Sequence, residues 1–347
     1  MKANGRAAFA AGWLSLLHRR WARCVDEASF AWISLLQARH RPEPTFRQRL
    51  EAYVESWRGA SLDQYYALPS GCSPALSVAK RGNGLRIRFP SPLSPGPERR
   101  NRTAVFDFWL GPEGWSGPTM ILAHGLMSVS DVGYRYWAGR LGALGWNAAF
   151  MHLPYHYARR PFGLFPGEMC VTADLVHTAE TLRQGVLELR VFVRWLRAQG
   201  TRLVGGWGIS YGGWVLAEAA CVERVFDRLM LLEPIFRIEH AMWESPSGRG
   251  IRRTLERLGI SAEAAAPHLR LVCPSLARPH LKPEEVLLLG GIYDRVVPLR
   301  LLEEFRDAWR GCHLYPFPQG HVGYRLMRES LGIAQEIWPG DFAPARH

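Results

Sequence analysis

Three residues widely separated in this chain are of the types that acyl-transfer chemistry uses: Ser210, Asp294 and His321. A serine hydroxyl is a poor nucleophile near neutral pH. It needs a base to take its proton, and the base needs a carboxylate to orient it. Ser210 sits in Gly208-Ile209-Ser210-Tyr211-Gly212. A G-x-S-x-G pattern alone is a weak signal, so its surroundings must decide. The apolar run "LVGGWG" (203–208) ends at this pattern and "YGGWVLAEAACV" (211–222) continues as a helix. That is the strand-to-helix turn in which a nucleophile is exposed, and glycines at 208 and 212 leave room for nearby backbone. Asp294 follows the apolar strand in "LLLGGIYDRVVP", and His321 lies in the loop "PFPQGHVGY" ahead of a helix. Glu233, in "LLEPIF", also follows a strand and is a second candidate acid.

Other polar residues have plainer readings. His152 and His156 are spaced i, i+4, but they straddle a strand end and a Pro-containing loop without an H-E-x-x-H context, so no metal is expected. No cofactor is expected either. His124 reads as a structural partner of its loop. Arg159 and Arg160 could hold an acidic substrate group or pair with surface carboxylates, and the second reading is preferred.

Positioning these residues requires a regular scaffold, and the chain has the pattern for one. Strand-like runs at 103–110, 119–125, 146–154, 201–208, 227–236 and 286–291 alternate with helical patterns, among them 173–198, 211–222, 299–309 and 322–338. Alternation of this kind implies an α/β fold: a mostly parallel, doubly wound sheet with helices on both faces and its active site at the strands' carboxyl ends. Residues 1–100 read as an N-terminal helical extension (7–25, 28–38, 46–57) followed by a loop-rich linker, and 101–347 as the main domain. Within it, 237–283 reads as a small inserted cap.

The chain carries a net charge of +12, almost wholly from arginine, with lysines only at 2, 80 and 282. No aromatic-interleaved basic block accompanies it, so a solvated basic surface is expected and no nucleic-acid partner. No run of 18 apolar residues is present, which argues against a spanning helix. The first helix is basic and amphipathic. It either packs on the protein's own core, the preferred reading, or makes peripheral contact with a membrane. Six scattered cysteines without a C-x-x-C pair read as free thiols of a cytoplasmic protein, with membrane association as the alternative.

At these residues the sequence resembles the α/β hydrolases. The likeness rests on "GISYG" (208–212), Asp294 in "GIYDRVVP", His321 after glycine, and "LAHGL" (122–126), and covers about residues 103–340. "HLPYHYARRP" and "GISYGG" are similar to an uncharacterised, esterase-like branch. The resemblance implies an α/β-hydrolase fold with Ser210 as nucleophile, His321 as general base and acid, and Asp294 as the orienting acid. It further implies an oxyanion hole from the backbone N–H of Tyr211 and of Leu126, with Met127 as second choice. The expected activity is hydrolysis of a small-molecule carboxylic ester through an acyl-enzyme. "SYGG" also resembles prolyl-oligopeptidase-type peptidases, leaving a peptidase or amidase, or a non-catalytic binding protein, as alternatives.

Overall fold

The structure is a computed structural model that describes residues 3–70 and 75–342. Its centre is a nine-stranded sheet. The strands are β1 (Ser77–Arg81), β2 (Gly84–Pro90), β3 (Thr103–Trp109), β4 (Thr119–Ala123), β5 (Asn147–His152), β6 (Val204–Ile209), β7 (Arg228–Leu232), β8 (Val286–Gly291) and β9 (His313–Phe317). They lie in the order β1-β2-β3-β5-β4-β6-β7-β8-β9. The first four in this order pair antiparallel and the rest parallel. Strands β4, β5 and β8 are buried from end to end, in keeping with their largely apolar runs, which suit strands covered on both faces.

The two faces carry separate apolar layers. Along β4, Met120 and Leu122 enter one layer while Ile121 and Ala123 enter the other, the period-two alternation of a strand. Helices α4 (Val132–Ala143) and α10 (Arg325–Ile337) cover the first face. On the second lie α5 (Leu175–Ala198), α6 (Tyr211–Val222) and α9 (Leu299–Ala308). Before the sheet come α1 (Ala3–Gln37), α2 (Phe46–Ser56) and α3 (Leu62–Tyr65), and between β7 and β8 come α7 (Arg249–Arg257) and α8 (Ala262–Leu269). Among the described residues no helix is long and apolar enough to cross a membrane.

Three elements differ from the sequence reading. The sheet begins at residue 77, inside the stretch read as linker. Its first hairpin turns on Gly82-Asn83 and alternates Leu85, Ile87 and Phe89 with Arg86 and Arg88, burying Ile87 and Phe89. The prolines at 90–97 drew attention away from that alternation. β9 was also missed, since Pro316 lies within it; as an edge strand it tolerates a missing N–H. Finally, α1 is one continuous helix where two were expected. Its buried stripe includes Ala22, Asp26, Phe30 and Leu36, so its inner face packs on the protein. Cys24, Cys170, Cys221, Cys273 and Cys312 are free thiols, and Cys72 lies outside the described residues.

Candidate active site

Ser210 occupies the single residue between β6 and α6, with φ 51° and ψ −114°. A non-glycine residue there is strained by about 1–3 kcal/mol. The flanking glycines explain how the turn is tolerated. A Cβ on Gly212 would lie 2.4 Å from the Ala123 carbonyl oxygen, and one on Gly208 would lie 2.9 Å from the Gly212 backbone. The turn is held by the Ser210 N–H, which donates to the Leu232 carbonyl at 2.9 Å.

The three residues singled out from the sequence meet in one hydrogen-bonded chain. Ser210 Oγ is 2.9 Å from His321 Nε2, and His321 Nδ1 is 2.8 Å from Asp294 Oδ2. Asp294 Oδ1 accepts from the N–H groups of Val296 and Val297 at 2.7 and 3.0 Å, which fixes the carboxylate. With its Nδ1 proton on Asp294, the imidazole turns Nε2 to the serine as an acceptor. Burial opposes protonation of His321, but the Asp294 carboxylate and the more distant Asp26 outweigh it and raise its pKa above 6.5. Such an arrangement can take a proton from the hydroxyl as the oxygen attacks.

Glu233 points at the same ring from the end of β7. Its Oε2 is 4.0 Å from His321 Nδ1, beyond hydrogen-bond reach, whereas Asp294 is within it. Complete burial, with the charges of Asp294 and Asp26 nearby, pushes the Glu233 carboxyl well above its ordinary range. Burial therefore favours the neutral form of this carboxyl. Among the described residues, Glu233, Asp294 and His321 form the grouping with metal-ligand spacing. Two of its three members are already spent on each other.

Sequence reasoning missed Asp26. This α1 residue is buried, and its carboxylate accepts the N–H of His321 at Oδ2 and of Val322 at Oδ1, both at 2.9 Å. Burial pushes its pKa up and the two backbone bonds only partly offset that. The neighbouring Glu27 pairs with Arg249 of α7 at 3.0 Å and also with Arg295, next to Asp294. The available signal was a lone acid in an otherwise apolar helical stripe, between Ala22 and Phe30 at i±4.

The loop after β4 is clamped by two neutral histidines. His156 Nε2 accepts the Met127 N–H at 3.1 Å while its Nδ1 donates to the Pro154 carbonyl at 2.8 Å. His124 donates from Nδ1 to the Gly125 carbonyl at 2.9 Å and accepts the Leu153 N–H at Nε2, at 3.3 Å. Burial lowers the pKa of both, that of His156 to about 4, so these tautomers persist at neutral pH. Met127 has thus committed its N–H. Leu126 and Tyr211 border the same cavity as Ser210, and Tyr211, as first residue of α6, has no intrahelical acceptor for its N–H.

The remaining candidates are structural. His152 bonds Asp107 at 3.0 Å. Arg159, expected at the surface, is fully buried in a bidentate pair with Glu188 at 2.6 and 2.7 Å. Such a pair leaves nothing for a substrate. Arg160 is exposed.

No protein-family model matches the chain. Over 95 residues it is 26% identical to the uncharacterized protein YdjC of Bacillus subtilis (strain 168), spanning 27% of this chain and 82% of that one. In structure it is similar to an acetyl xylan esterase from Paenibacillus sp. R4, with TM-score 0.56, 14% identity and coverage of 86% of this chain and 98% of the other. The fold is that of the α/β hydrolases. Acetyl xylan esterase 1 from Thermoanaerobacterium sp. JW/SL YS485 shares it, with TM-score 0.53, 13% identity and coverage of 86% and 95%. In this α/β-hydrolase fold the sheet carries Ser210, Glu233 and Asp294 at or just beyond the carboxyl ends of β6, β7 and β8. His321 comes after β9.

Proposed function

We propose that this protein is a serine hydrolase that cleaves small-molecule carboxylic esters through an acyl-enzyme on Ser210. The observation that supports this most directly is the unbroken chain from Ser210 Oγ through His321 to Asp294, opening onto a cavity of about 380 Å³. His321 takes the Ser210 proton as Oγ adds to the ester carbonyl. The resulting oxyanion lies against the N–H groups of Tyr211 and Leu126, where one donor contributes about a hundred- to a thousand-fold in rate. His321 then passes its proton to the departing alkoxide, and the alcohol leaves. Water, deprotonated by the same ring, attacks the acyl-enzyme and releases the acid.

Asp294 keeps the imidazole in the required tautomer throughout. The raised pKa of His321 suits a group that must hold a proton between nucleophilic attack and leaving-group departure within each half-reaction. Proteins of this fold that cleave esters, including the two acetyl xylan esterases, lend the reading general support.

The test is covalent labelling by a fluorophosphonate. Wild type is expected to be labelled at Ser210, and Ser210→Ala and His321→Ala to remain unlabelled. A folded wild type that stays unlabelled, or a Ser210→Ala variant labelled to the same extent, overturns the proposal.

A further inference from the structure

The full sequence holds 43 lysines and arginines and 31 aspartates and glutamates. Among the described residues, none of these four types lines the cavity at Ser210. Its wall is mostly apolar, with Gln37, Ser128, Ser130 and Ser247 as uncharged polar members, and comes from three separate parts of the chain. Phe30 and Ile33 enter from α1, Met242 and Ile251 from the segment between β7 and β8, and Trp214 and Val296 from the main domain. A wall without fixed charge leaves a buried carboxylate or ammonium group of a substrate unpaired, at heavy cost.

We infer that the substrate is an uncharged ester with a medium-length apolar chain, which lies between α1 and the inserted segment. This rests on the esterase reading of Ser210 and names its substrate class. The size of the cavity sets the length. A dry cavity of about 150 Å³ closes around a benzene ring. At 380 Å³ the present one is roughly two and a half times larger and takes on the order of ten chain carbons. An acetyl group leaves most of that wall in contact with water. A chain of eight carbons covers it, and the gain for a well-fitted chain over acetyl is about tenfold or more in kcat/KM.

The chain can belong to the acid or to the alcohol of the ester, and paired substrate series separate the two. Initial rates are measured with 4-nitrophenyl acetate, hexanoate, octanoate and decanoate for the acyl side, and with octyl and ethyl acetate for the alcohol side. A 4-nitrophenyl ester with a terminal carboxylate on an eight-carbon chain is the charged control. The expected result is octanoate or decanoate, or else octyl acetate, favoured about tenfold or more over its short partner, with the charged ester about tenfold poorer than octanoate. Ile251→Trp and Ile33→Trp, which fill the cavity from the inserted segment and from α1, are expected to lower the ratio of long-ester to short-ester kcat/KM about tenfold. Equal rates across both series, preference for the short esters, or turnover of the charged ester as fast as octanoate overturns the inference.

Labelling by a short-chain fluorophosphonate keeps this failure distinct from failure of the esterase reading. If Ser210 labels but long chains are not favoured, only the chain assignment falls. If Ser210 does not label, calorimetric binding of 4-nitrophenyl octanoate against the acetate to Ser210→Ala decides the chain assignment by itself. Tighter octanoate binding upholds it and equal binding refutes it.

Discussion

Asp26→Asn separates a residue that positions His321 from one that merely holds the fold. Asp26 lies in α1 and receives the N–H groups of His321 and Val322, each at 2.9 Å. Asparagine keeps one acceptor oxygen but presents an NH₂ group to the other N–H. One charge-assisted bond becomes neutral and the second is lost. With about 1.5–3 kcal/mol for a bond to a charged group and about 1–3 for a buried N–H left unpaired, the destabilisation comes to about 2–4 kcal/mol. A domain with about 5–15 kcal/mol of stability remains folded. Asp26→Ala leaves both N–H groups without a partner and is expected to be the worse variant.

The catalytic consequence follows from geometry. Asp26 does not border the cavity, so substrate affinity and KM are expected to stay within about threefold. A loop held at one point lets His321 Nε2 drift from Ser210, and a displacement of 1 Å costs about a hundredfold. The expected kcat is therefore about ten- to a hundredfold lower, equivalent to about 1.4–2.7 kcal/mol on the barrier. A second readout comes from pH. On the proposed mechanism His321 must be neutral to accept the serine proton, so activity is expected to appear as pH rises through its pKa, which Asp294 and Asp26 raise from 6.5. Asp26 is one of the two carboxylates that raise that pKa. Its neutralisation is expected to move the acid limb of kcat/KM to lower pH.

The assay is hydrolysis of a chromogenic ester from about pH 5 to 9, with urea unfolding of the same preparations. A variant destabilised as expected, yet with wild-type kcat and an unmoved acid limb, refutes the positioning role.

Further perturbations probe the acid of the site and the outer face of α1. Asp294→Asn is expected to cost about 10⁴-fold in kcat through the wrong imidazole tautomer, whereas Glu233→Gln, replacing a carboxyl whose neutral form burial favours, is expected to stay within about tenfold; equal losses in the two variants would reverse the assignment of the acid. On the outer face of α1, Leu17 and Trp21 are exposed beside Arg20, with Arg19 and Arg23 exposed elsewhere around the helix, and we propose that this face meets anionic membrane surfaces. Wild type is expected to sediment with phosphatidylserine vesicles at low salt and to be released by high salt, and Leu17→Glu with Trp21→Glu to bind about tenfold more weakly; no sedimentation of wild type removes the proposal.

The central strands and the residues around Ser210 were legible because both obey local rules. A strand buried on both faces is mostly apolar: β8 is so throughout, and β4 and β5 are so apart from Thr119, Asn147 and His152 at their ends. The tight turn at Ser210 needs glycines two residues to either side, and the clash distances at Gly208 and Gly212 give the reason. The β1–β2 hairpin was present as a Leu-Arg-Ile-Arg-Phe alternation but was overshadowed by the prolines that follow. Asp26 was of another kind. Its partners are backbone N–H groups some 295 residues away, and a backbone donor has no signature in residue types. The same holds for the clamps on the β4 loop, where His124 and His156 look like isolated histidines until the fold closes around them.

That difference bears on what α1 does. Asp26 holds the loop of His321, and Glu27, one residue on, pairs with Arg249 of α7 and with Arg295 beside Asp294. Phe30, one turn further, forms cavity wall and lies 6.2 Å from the His321 ring. One helical face thus touches the backbone of His321, the neighbour of Asp294, the inserted segment and the cavity at Ser210. Acidic residues at such points are costly to bury unless their acceptors are used, and both oxygens of Asp26 are used. The helix is therefore part of the site's construction rather than an appendage to a finished domain. Its removal takes away a wall of the cavity and the anchor of the His321 loop in a single step.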